Sequence, residues 1–559
     1  MRPAMTSRAG VRRSLLPWLF TALAVISYSR VALASPFERG ESRRIARPAG
    51  CGDAYPYVIH VSVDGLRGDV VARLGPRAVP HLYRLRIEGA FTDNARNDFD
   101  ITVTLPNHVC QLTSRPVLGP DGHGVSFNSD DGRTLAAIHG SYVAGVFDVA
   151  HDHGLATGMY ASKSKFALFE RSWNATNGAP DTTGADDGRD KIDVYVYQAN
   201  TAALLDSFVA RMAAAPHYYV FIHLADPDAA GHSYGWESTS YLDSIVKVDG
   251  LIGRILDLID SDARFANGTY LVVTADHGGH GTDHENAADP LNYTVPLYVW
   301  GPGVPAGADL YSLNPATRAN PGSGRPPYTA SPAPIRNGEA ANLSLYLLGL
   351  AAVPGSVIDA AQDCEAILAG CADALPAVSI TNPPSGTSLE YPASVVIEAT
   401  VDPRSGAVAR VEFFADGVSL GADSTSPYAY AWTEIPLGAY RLTARAVRDD
   451  GIAATASVDV EIASATAGSS GHSLLRTPRI YPNPFDRLST IEFSLPETDA
   501  VEVDVYDLLG RRLERLFGGR LGGGGHEMTL DASSYAPGVY FLQLRSSTAV
   551  RTTKFMIVR

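Results

Sequence analysis

Apolar runs along the first half of the chain repeatedly end in clusters of aspartate, histidine or lysine. Tyr57-Val58-Ile59-His60-Val61-Ser62-Val63 leads into Asp64-Gly65, and residues 155–160 lead into Ser162-Lys163-Ser164-Lys165. Tyr218-Tyr219-Val220-Phe221-Ile222-His223-Leu224 leads into Asp226-Pro227-Asp228-Ala229-Ala230-Gly231-His232. Tyr270-Leu271-Val272-Val273 leads into Thr274-Ala275-Asp276-His277-Gly278-Gly279-His280-Gly281-Thr282-Asp283-His284. Runs of this length, apolar at nearly every position and closed by turn residues, predict strands buried on both faces. Val295-Pro296-Leu297-Tyr298-Val299-Trp300 predicts one more strand before a glycine-proline turn. Helices are predicted over residues 147–153, closed by Gly154, over 107–113 behind Pro106, and over 335–350, where leucines recur at helical spacing. In an open parallel sheet, ligands collect beyond the carboxyl ends of the strands. Asp64 falls at such an end.

Beyond about residue 375 the pattern becomes strict alternation between turn signals, which predicts β-sandwich structure. Phe413-Phe414-Ala415-Asp416-Gly417-Val418 predicts a hairpin turning at Asp416-Gly417. The chain is therefore divided into a targeting segment (1–34), a catalytic domain (35–375), a β-sandwich (376–463), a small polar linker (464–475) and a second strand-rich domain (476–559).

Composition narrows the class. The chain has 559 residues, 45% hydrophobic and 19% charged, as expected for a globular protein of several domains. Arg2, Arg8, Arg12 and Arg13 precede an apolar stretch at 15–26 that is short for a bilayer span, and Ala32-Leu33-Ala34 fits signal cleavage before Ser35. The mature chain then has no predicted membrane helix. Removing residues 1–34 takes away five arginines and no acid, so the net charge goes from −15 to −20. That balance argues against broad binding to a nucleic-acid backbone. It permits local phosphate binding, because metal ions dominate the field in their own site. The four cysteines, Cys51, Cys110, Cys364 and Cys371, allow three pairings; Cys364 and Cys371 are close enough to close a small loop, and no C-x-x-C pair suggests a thiolate metal site.

The polar clusters carry the chemistry. Asp276 and His277 are adjacent, with further imidazoles behind them, a donor set that suits a borderline divalent ion such as zinc. Asp228 and His232 are four apart, so on a helix they share a face. Thr104, just before Pro106, is placed at a helix N-terminus, where backbone N–H groups favour an anion. Asn128, in a glycine-rich loop, can donate an amide N–H to an oxyanion. Lys163 and Lys165, at period two, would present both ammonium groups on one face.

Five of these segments, in this order, resemble the type I phosphodiesterase/nucleotide pyrophosphatase family of the alkaline phosphatase superfamily: Ser62-Val63-Asp64-Gly65-Leu66-Arg67, Thr104-Leu105-Pro106-Asn107-His108, His123-Gly124 with Asn128, Pro227-Asp228-Ala229-Ala230-Gly231-His232 and Ala275-Asp276-His277-Gly278. The resemblance implies an α/β fold, an alkaline-phosphatase-like central sheet sandwiched by helices, here followed by two small all-β sandwich domains. It implies two zinc ions, one held by Asp64, Thr104, Asp276 and His277, the other by Asp228, His232 and a third histidine. His284 is chosen for that position, with His280 as the alternative. Thr104 would be the nucleophile and pass through a phospho-threonine, with Asn128 and the Leu105 amide steadying the phosphoryl oxygens. The substrate would be a phosphate ester or nucleotide-like small molecule. Lys163 and Lys165 resemble paired basic residues of superfamily members that cleave monoesters or phosphonates, so a monoesterase or phosphonate hydrolase is the alternative. An inactive surface-binding protein is the second alternative. A sulfatase is rejected, since Cys110-Gln111-Leu112-Thr113-Ser114-Arg115 has leucine where a sulfatase needs proline.

Residues 411–417 and 428–432 resemble bacterial Ig-like modules. Tyr481-Pro482-Asn483-Pro484-Phe485, residues 505–510 and Ala536-Pro537-Gly538-Val539-Tyr540 resemble the C-terminal sorting domain of type IX secretion. That resemblance implies the secretion machinery as a partner and a secreted or cell-surface location.

Overall fold

The computed structural model describes residues 55–181, 188–266, 268–364, 375–404, 406–464, 478–481, 483, 485–495, 498–507, 511–547 and 549–558. The signal peptide expected over 1–34 lies outside these residues, as do Cys51, Cys371 and nearly all of the expected linker. Cys110 and Cys364 are buried thiols.

The first domain is built on an eight-stranded sheet in the order β4-β3-β5-β1-β6-β7-β2-β8. Its strands are β1 (Tyr57–Val63), β2 (Ala90–Arg96), β3 (Thr157–Ala161), β4 (Val194–Tyr197), β5 (Tyr219–Leu224), β6 (Thr269–Thr274), β7 (Thr294–Trp300) and β8 (Ala308–Asp309). The run β4-β3-β5-β1-β6 is parallel, whereas β7 is antiparallel to both β6 and β2. Every residue of β5 and β6 is buried, which is why these segments read as continuous apolar runs rather than as alternation. Two separate helix groups cover the sheet. One contains Thr104–Thr113, Val146–Asp152 and Ala340–Leu348; the other contains Pro80–Glu88, Thr201–Ala214, Asp226–Tyr234 and Thr239–Ser261.

The helix expected over 335–350 is shorter, a 3₁₀ turn at Asn337–Glu339 followed by Ala340–Leu348. Asn337 is drawn out of helical use because its side-chain amide donates to the backbone carbonyls of Ala275 and Asp276, at 3.0 and 3.2 Å.

From residue 375 onward the described residues form only strands and loops. Strands between 377 and 464 form a five-stranded and a three-stranded sheet, and strands between 479 and 557 form a three-stranded and a four-stranded sheet. Each pair encloses its own apolar core. The hairpin Val408–Ala415/Val418–Asp423 turns at Asp416 and Gly417, both at positive φ (47° and 75°), the left-handed geometry that suits an Asp-Gly hairpin turn.

Candidate metal centre

Three parallel strands deliver side chains to one edge. Asp64 follows β1, Asp276 and His277 follow β6, and the helix Asp226–Tyr234 carries Asp228 and His232 just beyond β5. Thr104 opens the helix Thr104–Thr113 and is buried there. The loop behind His277 turns back so that His284 faces the same edge.

These residues form two adjacent clusters. The candidate ligand atoms of Asp64, Asp276 and His277 lie within 4.8 Å of one another, as do those of Asp228, His232 and His284. In the first, His277 Nε2 is 3.4 Å from Asp64 Oδ1, 3.2 Å from Asp276 Oδ2 and 3.3 Å from the Thr104 hydroxyl. In the second, Asp228 Oδ1 is 3.3 Å from His232 Nε2 and 3.6 Å from His284 Nε2. His277 Nε2 lies 4.0 Å from Asp228 Oδ1, which joins the two clusters. His280 points elsewhere: its ring pairs with Asp289 at 2.8 Å and its side chain is 57% exposed, against 3% for His284.

The free atoms of these clusters are those a cation would use. Asp64 Oδ1, Asp228 Oδ1 and Asp276 Oδ2 are buried with no hydrogen-bond donor. Nδ1 of His277, His284 and His232 donates to the carbonyl of Gly278, Thr102 and Thr282, at 2.8, 2.9 and 3.0 Å. A carbonyl only accepts, so each neutral ring keeps its proton on Nδ1 and presents a bare Nε2. Nε2 of His232 and His284 face each other at 3.0 Å, and the hydrogen bond to Asp228 raises the His232 pKa. Burial keeps His277 neutral, its pKa lowered to about 3, and also lowers that of His284. Burial and the Asp64 charge push the Asp276 carboxyl up, as expected where carboxylates crowd without a cation. Orphaned buried oxygens facing bare imidazole nitrogens fit divalent metal.

Around the clusters stand groups that the sequence does not single out. His223 Nε2 donates to Asp64 Oδ2 at 2.9 Å, and its Nδ1 accepts from the Ser162 hydroxyl at 2.8 Å. His108 Nδ1 donates to the Thr104 carbonyl at 2.8 Å while its Nε2 accepts from Ser62 at 2.8 Å. For His223 and Ser62 the sequence signal is a polar residue inside an apolar run. The strand ends at Ala161 and a 3₁₀ turn begins at Ser164, and the two ammonium groups reach the site with separate partners. Lys163 Nζ bridges Asp64 and Asp228 at 2.6 and 2.5 Å, and Lys165 Nζ donates to Asn128 Oδ1 at 2.9 Å. Asn128 Oδ1 also accepts the Leu105 N–H at 2.9 Å, so that amide, expected to face a phosphoryl oxygen, is directed at Asn128.

The family model for type I phosphodiesterase / nucleotide pyrophosphatase matches residues 58–319, that for a bacterial Ig domain 376–444, and that for a secretion system C-terminal sorting domain 479–559. Ectonucleotide pyrophosphatase/phosphodiesterase family member 1 of Mus musculus is 24% identical over 223 residues, 40% of this chain and 24% of that protein. GPI ethanolamine phosphate transferase 1 of Neurospora crassa is 26% identical over 328 residues, 51% of this chain and 30% of that one. The match to these curated relatives thus spans less than a third of their length. Among solved structures, murine ectonucleotide pyrophosphatase/phosphodiesterase 5 aligns at 16% identity with a TM-score of 0.37, covering 53% of this chain and 96% of that one. Residues 58–319 therefore match the type I phosphodiesterase / nucleotide pyrophosphatase family, and the chain continues into segments that match a bacterial Ig domain and a secretion system C-terminal sorting domain.

Proposed function

We propose that the chain is an exported two-metal phosphoester hydrolase, a phosphodiesterase or nucleotide pyrophosphatase, that works through Thr104. The observation that carries this reading is the Thr104 hydroxyl 3.3 Å from His277, beside two adjoining Asp/His clusters in which Asp64 Oδ1, Asp228 Oδ1 and Asp276 Oδ2 are buried without a hydrogen-bond donor. Asp64, Thr104, Asp276 and His277 would hold one ion, and Asp228, His232 and His284 the other. His284 is preferred to His280 because its Nε2 faces Asp228 and His232. Bound zinc ions would acidify the Thr104 hydroxyl and balance phosphoryl charge.

Thr104 Oγ1 takes the phosphoryl group from the ester oxygen and later yields it to water, which makes the intermediate a phospho-threonine. Its place in the first turn of Thr104–Thr113 puts that group at the positive end of a helix. Asn128 Oδ1 is already used twice, so its Nδ2 hydrogens remain for a phosphoryl oxygen. His223 and His108 hold Asp64 and the Thr104 backbone in register, each donating one ring N–H.

The test is Thr104→Ala assayed with an aryl phosphodiester beside the matching monoester. Turnover is expected to vanish while metal content stays near that of the wild type, since carboxylates and imidazoles supply most of the ligand charge. Wild-type-like rates in the variant would sink the mechanism, and a wild type that binds ions without turnover would favour the inactive binding protein. A monoesterase or phosphonate hydrolase is the second reading, favoured by the two ammonium groups at the site. A monoester phosphoryl group carries more negative charge than a diester, so preference for the monoester in this paired assay would select that reading.

A further inference from the structure

We infer that Trp236 is a positioning residue that locks the two metal half-sites to each other; the inference rests on the two-metal reading above. Trp236 follows the helix Asp226–Tyr234 across Gly235, whose φ is +92°, and its own N–H donates to the Gly281 carbonyl at 2.8 Å. The indole is buried. Its Nε1–H donates at 3.0 Å to the carbonyl of Gly65, the residue after Asp64. The Gly65 N–H in turn donates to Asp276 Oδ1 at 3.1 Å. One face of the contact set is therefore the first half-site.

The other is the second half-site. The indole meets the His232 ring edge-to-face at 5.2 Å and the His284 ring at 5.8 Å, with interplanar angles of 81° and 74°. Two glycines make room for it. A Cβ on Gly231, which precedes His232, would stand 2.5 Å from the indole, and one on Gly279, two residues past His277, would stand 2.1 Å from it. Gly231 lies inside a helix, where glycine is a poor choice unless close packing requires it. Trp236 thus touches the backbone or ring next to Asp64, His277, His232 and His284 at once. The indole packs against both rings beside the point at which their Nε2 atoms converge.

A purely structural indole would fill the same space, so the test reads metal binding rather than stability alone. The mature wild type and Trp236→Phe are stripped of metal and titrated with Zn²⁺ against a chromophoric chelator, with circular dichroism as the folding control. Phenylalanine keeps an aromatic wedge but loses the Nε1–H bond to Gly65. The wild type is expected to take up two ions. Trp236→Phe is expected to take up two ions as well, with the affinity of at least one lowered about 10–100-fold, the usual effect of losing an outer-shell partner. Its kcat for an aryl phosphodiester should return toward that of the wild type at saturating Zn²⁺. Affinities within threefold of the wild type, or a loss of kcat that saturating Zn²⁺ leaves unrepaired, overturn the inference. Should Trp236→Phe fail to fold, wild-type protein labelled with 5-fluorotryptophan answers the same question, because the Trp236 fluorine resonance must shift as zinc is added. A resonance that stays in place overturns the proposal. A wild type that binds no divalent ion defeats the two-metal reading itself, and this inference with it.

Discussion

Asn128 shows how much a single side chain owes to its neighbours. From sequence it is a loop asparagine, and most of those close turns. In the structure its Oδ1 accepts from the Leu105 N–H and from Lys165, residues that come from different parts of the chain. Those two donors set the amide's orientation and leave Nδ2 to act on a ligand. Asn128→Ala is therefore expected to lower kcat by about 10²–10³, the scale of one lost oxyanion donor. Steady-state kinetics with an aryl phosphodiester checks this, and a loss below threefold would remove Asn128 from the site. The residues nominated from sequence were legible because acids and imidazoles at strand ends are rare without a ligand. His223 and Ser62 inside strands, His108 inside a helix and Ser162 just past a strand were not, because a polar residue does not by itself reveal which buried atom it will meet.

At the scale of elements, β1 is found where its apolar run lies, since a strand buried on both faces writes itself as a run. The helix Pro80–Glu88 shows the opposite case. Its N-cap, Val79, offers no capping side chain. The cap comes from another helix: Asp249, in Thr239–Ser261, accepts from the backbone N–H of Leu82 at 2.7 Å and of His81 at 3.3 Å. One turn later Gly253 lets the His81 ring approach, since a Cβ there would lie 2.5 Å from it. Burial pushes the Asp249 carboxyl up to about 7, against an ordinary value of 3.8, despite the two N–H bonds. The folded state therefore binds this proton more tightly than the unfolded one. The contribution is present in full below about pH 4 and is lost as pH rises toward 7. Asp249→Asn keeps an acceptor for both N–H groups and removes the charge. Its melting temperature is expected to exceed that of the wild type by on the order of a few degrees at pH 8 and to match it near pH 4. Thermal melts across that range check the sign, and equal pH slopes for the two proteins would refute it.

At the scale of the whole molecule, the Ig domain docks on the catalytic domain at the end of the sheet away from the metal centre. Trp300 pairs with Leu271, near the start of β6, whereas Asp276 lies past its end. At that far end Glu88 accepts from Trp300 Nε1 at 3.0 Å and from Ser457 of the Ig domain at 3.3 Å, with Arg441 Nε 3.6 Å away. Arg441 also reaches Asp260 at 3.4 Å, and the Ala306 N–H donates to the Ala453 carbonyl at 2.9 Å. Arg441→Glu sets a carboxylate against Glu88 and Asp260. Faster proteolysis between the two domains is expected, with kcat unchanged, and limited digestion beside an activity assay checks both. Deleting residues 476–559 is likewise expected to leave kcat intact while holding the protein in the periplasm, because no described residue of that region belongs to the metal centre. Cell fractionation decides it, and normal surface display of the shorter chain would refute the sorting role. No helix among the described residues is long and apolar enough to cross a membrane.

The sequence by itself determined the buried strands β1, β3, β5, β6 and β7, the change of character near residue 375, and which side chains are candidates for the chemistry. Each of these is written locally, as an apolar run, an alternation or a short polar motif. Tertiary structure alone decided how those side chains are grouped. His284 rather than His280 faces Asp228 because the loop behind β6 folds back over the Asp226–Tyr234 helix. Lys163 bridges Asp64 and Asp228 while Lys165 reaches Asn128, partners that only the folded chain brings together. The Trp236 wedge, the Asp249 cap and the His223–Asp64 bond join residues far apart in the chain, where their partners are set by packing distance and leave no local mark.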